Sequence, residues 1–226
     1  MSGEPVPGAN LSMIEHWLFD MDNTLYPEAT GFMGLIQQKI GDYVIRTSGL
    51  PSEEALALQR KFLLETGTTL SGLMAAYPVD AQDFLDVVHD VPLDLLQPDA
   101  DLRLALQRLP GQRLVFTNGS ARHAERVMEK LQLADLFDGV FAIEHGDLIP
   151  KPDPRTFARL IGRFDVEPSL ACFFEDTARN LKPAKDLGMT TVLVRDGALA
   201  CEDPFVDWRT DDLTGFLNAA LVKETA

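Results

Sequence analysis

Short apolar runs alternate with amphipathic segments in the part of the chain that follows Pro110. The runs occupy residues 113–116, 140–143, 171–174 and 191–194, and each has the length of a buried strand. Between them, apolar side chains recur at i, i+3, i+4 and i+7 on two helix faces: Ala124, Val127, Met128 and Leu131, then Phe157, Leu160, Ile161 and Phe164. Strands that alternate with helices predict a parallel sheet covered by helices.

Start and stop signals agree with this periodicity. Asp153 and Pro154 stand at the expected start of the second helix, Thr177 precedes a third helix, and Gly188 follows it. We therefore predict an α/β fold whose core is a doubly wound, Rossmann-like parallel sheet. Sheets of this kind bind ligands beyond the carboxyl ends of their strands, so polar side chains at those ends are candidates for chemistry.

A further strand is predicted near the start of the chain, where Ile14, Trp17 and Leu18 are apolar. About 90 residues separate it from the next core strand, far more than one crossover helix needs. We expect three or four helices between Thr30 and about Asp90. Their predicted apolar faces are Phe32, Leu35, Ile36, Ile40 and Tyr43 in the first helix, and Leu56, Leu63 and Leu64 in the second.

These patterns give a domain prediction. We expect a flexible N-terminal tail over residues 1–13, an α/β core domain over residues 14–27 and 92–226, and an inserted helical cap domain over residues 28–91. The length of 226 residues suits one core domain with a sizeable insertion.

Composition narrows the choice of partners. The formal net charge is −15, which argues against nucleic acid polymers and anionic membranes. No apolar run reaches the length of a membrane span, and the first residues lack the pattern of a signal peptide, so a cytoplasmic location is expected. A small anionic substrate fits if a metal ion and a few cations reverse the field in one pocket. The oligomeric state stays open.

Two carboxylates, Asp20 and Asp22, follow the first predicted strand. A pair at a strand end can supply a nucleophile, an acid/base partner and ligands for a shared cation. An acidic pair of this spacing also occurs in ordinary turns and helix caps. The assignment therefore depends on whether the rest of the chain supplies partners for it.

Three later segments offer such partners. Thr117 and Asn118 end a strand at a helix start, where a hydroxyl and backbone amides can meet an anion or simply cap the helix. Lys151 lies between two prolines and is either a fixed cation or a solvated side chain. Glu175 and Asp176 close another strand, where they can hold Mg²⁺ with Asp20 or favour a helix start electrostatically.

Four segments carry a family resemblance: FDMDNTLYP, VFTNGS, PKPDP and FFEDTARN. They resemble, in order and context, the signature motifs of the haloacid dehalogenase superfamily, and the insert resembles its helical cap. The resemblance implies that Asp20 forms an aspartyl-phosphate and that Asp22 is the acid/base. It implies that Thr117 binds phosphoryl oxygens and that Lys151 neutralises charge.

The resemblance also implies a Mg²⁺ cofactor. Its ligands would be Asp20, the backbone carbonyl of Asp22, and Asp176, with Glu175 as a further candidate. The chain departs from the superfamily at Asn180, where members often carry an acid. The presence of Asp22 disfavours dehalogenation, which needs neither the metal nor a second acid.

Further stretches resemble the pyrimidine 5'-nucleotidase branch: DNTLYP, HDVPLDLLQPDADLRLAL, TNGSARHAERVM and EDTARNLKPAKDLGMTTVLV. This implies a Mg²⁺-dependent hydrolase of small phosphomonoesters, with nucleotides such as UMP and CMP favoured. The enzyme alternatives are a phosphosugar phosphatase or mutase, and the non-enzyme alternatives are a phosphoacceptor or a degenerate binding protein. The candidate substrate contacts are Asn118, Thr68 and His89, with Arg60 and Thr69 as further cap residues.

Overall fold

The computed structural model describes residues 11–220. In this part of the chain six parallel strands form one sheet of order β3-β2-β1-β4-β5-β6, so β1 lies in its interior beside β2 and β4. This is the strand order of a doubly wound fold. The strands are β1 (His16–Phe19), β2 (Gln112–Phe116), β3 (Gly139–Phe141), β4 (Ala171–Glu175), β5 (Thr190–Val194) and β6 (Trp208–Thr210).

The described residues also form nine α-helices. They are α1 (Phe32–Ser48), α2 (Ser52–Thr66), α3 (Thr69–Ala76), α4 (Ala81–Val88), α5 (Ala100–Gln107), α6 (Ala121–Lys130), α7 (Pro154–Phe164), α8 (Ala178–Asp186) and α9 (Leu213–Ala220). One apolar cluster covers each face of the sheet. The predicted α/β fold with a parallel, doubly wound sheet is therefore confirmed.

The strands are apolar because both of their faces are covered. Trp17, Leu18 and Phe19 in β1 are fully buried, and His16 pairs with Gln112 on one side and Ala171 on the other. The predicted runs match β2, β4 and β5, but the run predicted over residues 140–143 extends beyond the end of β3. Residues 142 and 143 leave the strand early, since Ile143 begins a 3-10 turn that runs to Gly146.

The sequence patterns did not predict strand β6. Its three residues pair with β5 at the edge of the sheet. A strand this short is too brief to carry a recognisable alternation of apolar and polar positions. Its position is set by pairing with β5, which the sequence does not reveal.

The helix signals downstream of β2 are largely confirmed. The Asp153 carboxylate accepts a hydrogen bond from the Arg155 amide at the start of α7, and Gly188 adopts a φ of 93° after α8. Thr177 stands at the start of α8 as predicted, but its side chain does not cap the helix. Its hydroxyl donates instead to Asp176 Oδ1 at 3.0 Å.

Five helices lie between β1 and β2. The first four, α1–α4, share a separate apolar cluster, whereas α5 packs into the main core. The predicted inner face of α2 was wrong, because Leu64 is 74% exposed and Leu56 and Leu63 are also exposed. Helix α3 selects another face, since Phe62 packs directly onto Gly72. A β-carbon on Gly72 would lie 2.2 Å from Phe62 Cγ, so the helices approach closely there.

The description of these helices as a cap domain over residues 28–91 stays a prediction. Of the tail predicted over residues 1–13, residues 1–10 lie outside the described part. The remaining three, Leu11–Met13, form a 3-10 turn whose Leu11 is buried in the main core. No helix in residues 11–220 combines the length and hydropathy that crossing a bilayer requires.

Candidate active site

The carboxyl ends of the three central strands bring the predicted polar residues together. Asp20 follows β1, Thr117 follows β2, and Glu175 ends β4. The Asp20 amide donates to the carbonyl of Phe174 at 2.8 Å, which extends the pairing of β1 with β4 by one step. Asp20 and Glu175 are buried although both are acidic. Such burial requires charge partners nearby.

Lys151 is that partner. Its ammonium donates to Asp20 Oδ1, to Glu175 Oε2 and to the carbonyl of Phe116, each at 2.7 Å, and the side chain is 1% exposed. These contacts use all three of its donors. The interpretation of Lys151 as a solvated loop lysine is therefore wrong.

Asn118 fixes the backbone of the loop that carries Lys151. Its Oδ1 accepts from the Lys151 amide at 2.8 Å, and its Nδ2 donates to the Lys151 carbonyl at 3.3 Å. Both ends of the Asn118 amide are thus engaged by the protein backbone. In this structure Asn118 supports Lys151, and its predicted contact with substrate stays a prediction.

Thr117 is buried and its hydroxyl oxygen accepts from the Gly119 amide at 2.9 Å. A second hydroxyl, that of Thr24, donates to Asp20 Oδ2 at 3.4 Å. Asp20 therefore has Lys151 at one oxygen and Thr24 at the other. The position of Thr117 at the neighbouring strand end suits a donor to an oxyanion bound at Asp20.

The site has an excess of negative charge. Burial, together with the neighbouring Glu175 carboxylate, raises the pKa of Asp20 from 3.8 to about 8 against the attraction of Lys151. Burial likewise raises the pKa of Glu175 from 4.5 to about 7. It also raises the pKa of Asp176, which lies beside Asp20. One ammonium does not balance three carboxylates.

The donor set fits a hard divalent cation. Carboxylate oxygens of Asp20, Glu175 and Asp176 lie within 4.8 Å of one another. Buried amide oxygens of Asn23 and Asn180 also have no hydrogen-bond partner in the described structure. Asn23 is next to this cluster, because its Nδ2 donates to Asp176 Oδ2 at 3.3 Å.

Within the cluster, both oxygens of Glu175 accept a hydrogen bond. One of its oxygens accepts from Lys151 and the other from the Thr177 amide at 3.1 Å. Asp20 and Asp176 are engaged in the same way, Asp20 by Lys151 and Thr24, and Asp176 by Thr177 and Asn23. The side chain of Asp22 lies outside the cluster, so its predicted role as a ligand concerns its backbone carbonyl alone.

Asp22 has a different environment. Its Oδ1 accepts from the Tyr26 hydroxyl at 2.6 Å and contacts His123 Nε2 at 3.2 Å. Burial alone raises the pKa of Asp22, but His123 and the two hydrogen bonds outweigh it, so the pKa lies below its ordinary value. The two aspartates of the motif therefore have opposite pKa shifts, as residues with separate roles require.

The predicted cap residues have mixed positions. His89 is brought close, since its ring stacks on His123 at 4.2 Å between centroids and its Nδ1 lies 3.1 Å from Ser120 Oγ. Thr68 caps α3 through the Ser71 amide. Thr69 is buried at the start of α3, and Arg60 is exposed on α2.

His123 and Tyr26 are site residues that the sequence reasoning missed. His123 lies in the first turn of α6. A signal was present, because position 123 precedes Val127 by four residues and so lies on the apolar face of α6. A histidine on an inward face needs a polar partner, and Asp22 is that partner.

The turn between α2 and α3 also contacts the loop that carries Lys151. Gly67, between α2 and α3, packs so closely that a β-carbon there would lie 3.0 Å from the Lys151 carbonyl oxygen. On the other side, Arg179 of α8 donates to the Leu63 carbonyl at 3.0 Å. A cavity of about 470 Å³ lies between Gly67, Ser71 and the prolines beside Lys151.

Comparison with known proteins places this geometry in a family. The sequence profile of the haloacid dehalogenase-like hydrolases matches residues 14–188. The chain is 32% identical over 196 residues to "Phosphate metabolism protein 8" of Saccharomyces cerevisiae, covering 78% of this chain and 60% of that protein. It thus spans less than two thirds of the yeast protein.

A second relative is the N-acetylmuramic acid 6-phosphate phosphatase of Pseudomonas putida, which is 25% identical over 206 residues. That match covers 86% of this chain and 88% of the relative. The crystal structure of a HAD phosphatase from Thermococcus onnurineus shares the fold, with a TM-score of 0.59, 22% identity, and coverage of 87% and 93% of the two chains. The chain belongs to the haloacid dehalogenase-like hydrolases.

Proposed function

We propose that this protein is a Mg²⁺-dependent phosphomonoester hydrolase that acts through an aspartyl-phosphate on Asp20. The observation that carries the proposal is the Lys151 ammonium, which joins Asp20 to Glu175 beside Asp176. Phosphoryl transfer needs a positioned nucleophile and neutralisation of charge more than difficult covalent chemistry. A buried lysine beside a crowded carboxylate cluster supplies these two requirements.

The reaction would run in two steps. A carboxylate oxygen of Asp20 attacks phosphorus, the bond from phosphorus to the leaving oxygen breaks, and Asp22 protonates that oxygen. Asp22 then removes a proton from water, whose oxygen attacks the phosphorus of phospho-Asp20. The bond to Asp20 breaks, which returns the carboxylate and releases inorganic phosphate.

The other residues would lower the barrier electrostatically. Lys151 favours the ionised, nucleophilic form of Asp20, and Thr117 donates to phosphoryl oxygens. Asp20, Asp176 and the backbone carbonyl of Asp22 would hold Mg²⁺, with Glu175 acting through Lys151 or through water. When bound, Mg²⁺ supplies positive charge for the phosphoryl oxygens and for the crowded carboxylates.

We propose nucleoside 5'-monophosphates, with the pyrimidine nucleotides UMP and CMP favoured, as substrates. The support is the resemblance of four segments to the pyrimidine 5'-nucleotidase branch. A phosphosugar phosphatase is the second candidate, favoured by the relative that acts on N-acetylmuramic acid 6-phosphate. In either case the helices of residues 28–91 would act as the cap that selects the leaving group, and the protein would work in the cytoplasm.

Release of phosphate from a substrate panel tests the proposal. The panel comprises UMP, CMP, AMP, N-acetylmuramic acid 6-phosphate, glycerol 3-phosphate and p-nitrophenyl phosphate, each with Mg²⁺ and with EDTA. We expect the highest kcat/KM for UMP and CMP, loss of turnover in EDTA, and recovery on adding Mg²⁺. Asp20→Asn is the matched blank, because an amide does not form the acyl-phosphate.

Each other outcome points to a named alternative. A higher kcat/KM on the phosphosugar would support the second candidate, and an isomerised sugar phosphate as product would indicate a mutase. A long-lived phospho-Asp20 without phosphate release would indicate a phosphoacceptor. Binding without phosphorylation or turnover would indicate a degenerate binding protein and overturn the enzymatic proposal.

A further inference from the structure

The two carboxylate oxygens of Asp22 have different surroundings. Oδ1 accepts from Tyr26 at 2.6 Å and contacts His123 at 3.2 Å. Oδ2 faces Gly119, where a β-carbon would lie 3.6 Å from Oδ2 and 3.2 Å from Thr117 Oγ1. One oxygen is thus fixed by the protein, while the other borders a side-chain-free position shared with Thr117.

His123 Nε2 is the hydrogen-bond donor in the contact with Asp22. An ionised carboxylate only accepts hydrogen bonds, so Nε2 carries the proton in its contact with Asp22. The His123 side chain is fully buried, and its Nδ1 has no partner in the described structure. Burying an unpaired polar atom costs stability, so an apolar side chain would pack at this position at a lower cost than histidine. The contact of Nε2 with Asp22 is the interaction that only the histidine provides.

Stacking fixes the plane of the His123 ring. The ring lies 11° from the plane of His89 at 4.2 Å between centroids, and 7° from the plane of Phe32 at 6.0 Å. Phe32 begins α1 and His89 follows α4, so the two residues lie at opposite ends of the helical segment α1–α4. Tyr26 meets Phe32 edge to face at 5.6 Å.

The chain that follows α4 is bound to helix α6 beside His123. Arg126 of α6 donates to the carbonyls of His89 at 2.8 Å and of Val91 at 3.1 Å. Ser120, at the start of α6, contacts the His89 ring. The His123 ring, which contacts Asp22, is therefore fixed by its own helix α6 and by residues at both ends of the helical segment α1–α4.

We propose that His123 is a positioning residue, which together with Tyr26 holds Asp22 by Oδ1 so that Oδ2 exchanges the proton with the leaving oxygen and with water. This role rests on the proposed function, because it presumes that Asp22 is the acid/base. His123 touches neither substrate nor phosphorus in this mechanism. Its effect on the reaction passes through the orientation of Asp22, where a small misplacement lowers the rate strongly.

Dependence on the leaving group distinguishes positioning from mere structural support. An alkyl phosphate needs its leaving oxygen protonated, whereas p-nitrophenolate leaves readily without a proton. The value of kcat/KM reports the steps up to cleavage of that bond. Misplacing the acid therefore lowers kcat/KM for the alkyl ester more than for the aryl ester, while general loss of folded protein lowers both equally.

The experiment compares kcat/KM for p-nitrophenyl phosphate with that for the best alkyl phosphomonoester of the panel. His123→Leu should raise the aryl-to-alkyl ratio at least about tenfold. Tyr26→Phe should raise it in the same direction, and this variant carries the test if His123→Leu does not fold. His123→Gln keeps an amide donor near the position of Nε2 and should return the ratio towards that of the wild type.

Val127→Ala is the matched control, because Val127 is fully buried on the same face of α6 and contacts the main core. It should lower the melting temperature without changing the ratio. Equal losses on both esters in His123→Leu and Tyr26→Phe, or no recovery in His123→Gln, would overturn the positioning role. Absence of turnover by the wild-type protein on every ester would instead overturn the proposed function itself.

Discussion

At the scale of single residues, the buried ammonium of Lys151 organises the site. It pairs with two carboxylates and a backbone carbonyl, and lies 4.9 Å and 5.3 Å from the ring centroids of Phe116 and Phe173. Asp20 and Glu175 are buried beside it. Their charges depend on this one cation in the protein itself, which makes the position important for folding as well as for chemistry.

Lys151→Met should therefore abolish turnover and destabilise the protein. Methionine fills a similar volume but leaves two buried carboxylates without their cation, and breaking a buried pair in this way costs about 3–5 kcal/mol. The free energy of unfolding, measured by urea denaturation in EDTA at neutral pH, should fall by that amount.

Lys182→Met serves as the control for this prediction. Lys182 also pairs with a carboxylate, Asp186 at 2.6 Å, but both side chains are more than half exposed on α8. A surface pair of this kind contributes roughly 0–1 kcal/mol. Similar losses in the two lysine variants would contradict the assigned role of Lys151.

At the scale of elements, the turn between α2 and α3 meets the loop that carries Lys151. Gly67 adopts a φ of 85°, and a β-carbon there would lie 3.0 Å from the Lys151 carbonyl and 3.1 Å from Pro150 Cγ. The turn between α2 and α3 thus packs against the backbone of Lys151, a proposed catalytic residue. Glycine is required at this turn both by the backbone conformation and by the close approach.

Gly67→Ala should separate these elements. The added methyl group pushes the turn away from the Lys151 loop, so we expect KM for the alkyl phosphomonoester to rise at least about threefold and the free energy of unfolding to fall by about 1–2 kcal/mol. Steady-state kinetics and urea denaturation measure the two effects.

Gly49→Ala is matched for the backbone conformation but not for the contact. Gly49 ends α1 with a φ of 68°, and a β-carbon there would meet nothing within 4 Å. Gly49→Ala should therefore destabilise the protein through its positive φ and leave KM unchanged. An equal rise of KM in both variants would show that contact with the Lys151 loop is not the cause.

At the scale of the whole molecule, the formal net charge is −15, and three of the carboxylates, those of Asp20, Glu175 and Asp176, lie together at the site. The pKa of Asp20 and that of Glu175 are raised to about 8 and about 7. Between the ordinary pKa values and these raised ones, the folded state binds more protons than the unfolded chain. The two groups therefore stabilise the fold at low pH and lose that contribution as pH rises.

We expect the free energy of unfolding in EDTA to fall between about pH 5 and about pH 8 through this linkage. Mg²⁺ should reduce the fall or reverse it, because a cation that binds only the folded, ionised cluster stabilises that state. Urea denaturation at several pH values, with EDTA and with Mg²⁺, measures both slopes.

Asp20→Asn provides the internal comparison for the pH experiment. It removes the carboxylate whose pKa is raised most and leaves Lys151 paired with Glu175. The dependence on pH in EDTA should therefore be weaker in this variant. An unchanged slope would show that the pH dependence arises elsewhere in the chain.

The sequence determined the local elements of the core and which polar residues follow its strands. Apolar runs of strand length and helical repeats depend on neighbours in the chain, so β2, α6 and α7 were predicted correctly. Residues that follow strands meet at one edge of a parallel sheet. That geometric rule is why Asp20, Thr117 and Asp176 were predicted to lie at the carboxyl ends of the strands.

Only the tertiary structure decided which faces and partners those elements use. The inner face of α2 is set by the fit of Phe62 onto Gly72, and the short β6 exists because β5 offers it an edge. Asn118 binds the Lys151 backbone, and His123 binds Asp22 from 101 residues away. Contacts of this range depend on how close-packed elements meet, and periodicity along the chain does not encode that.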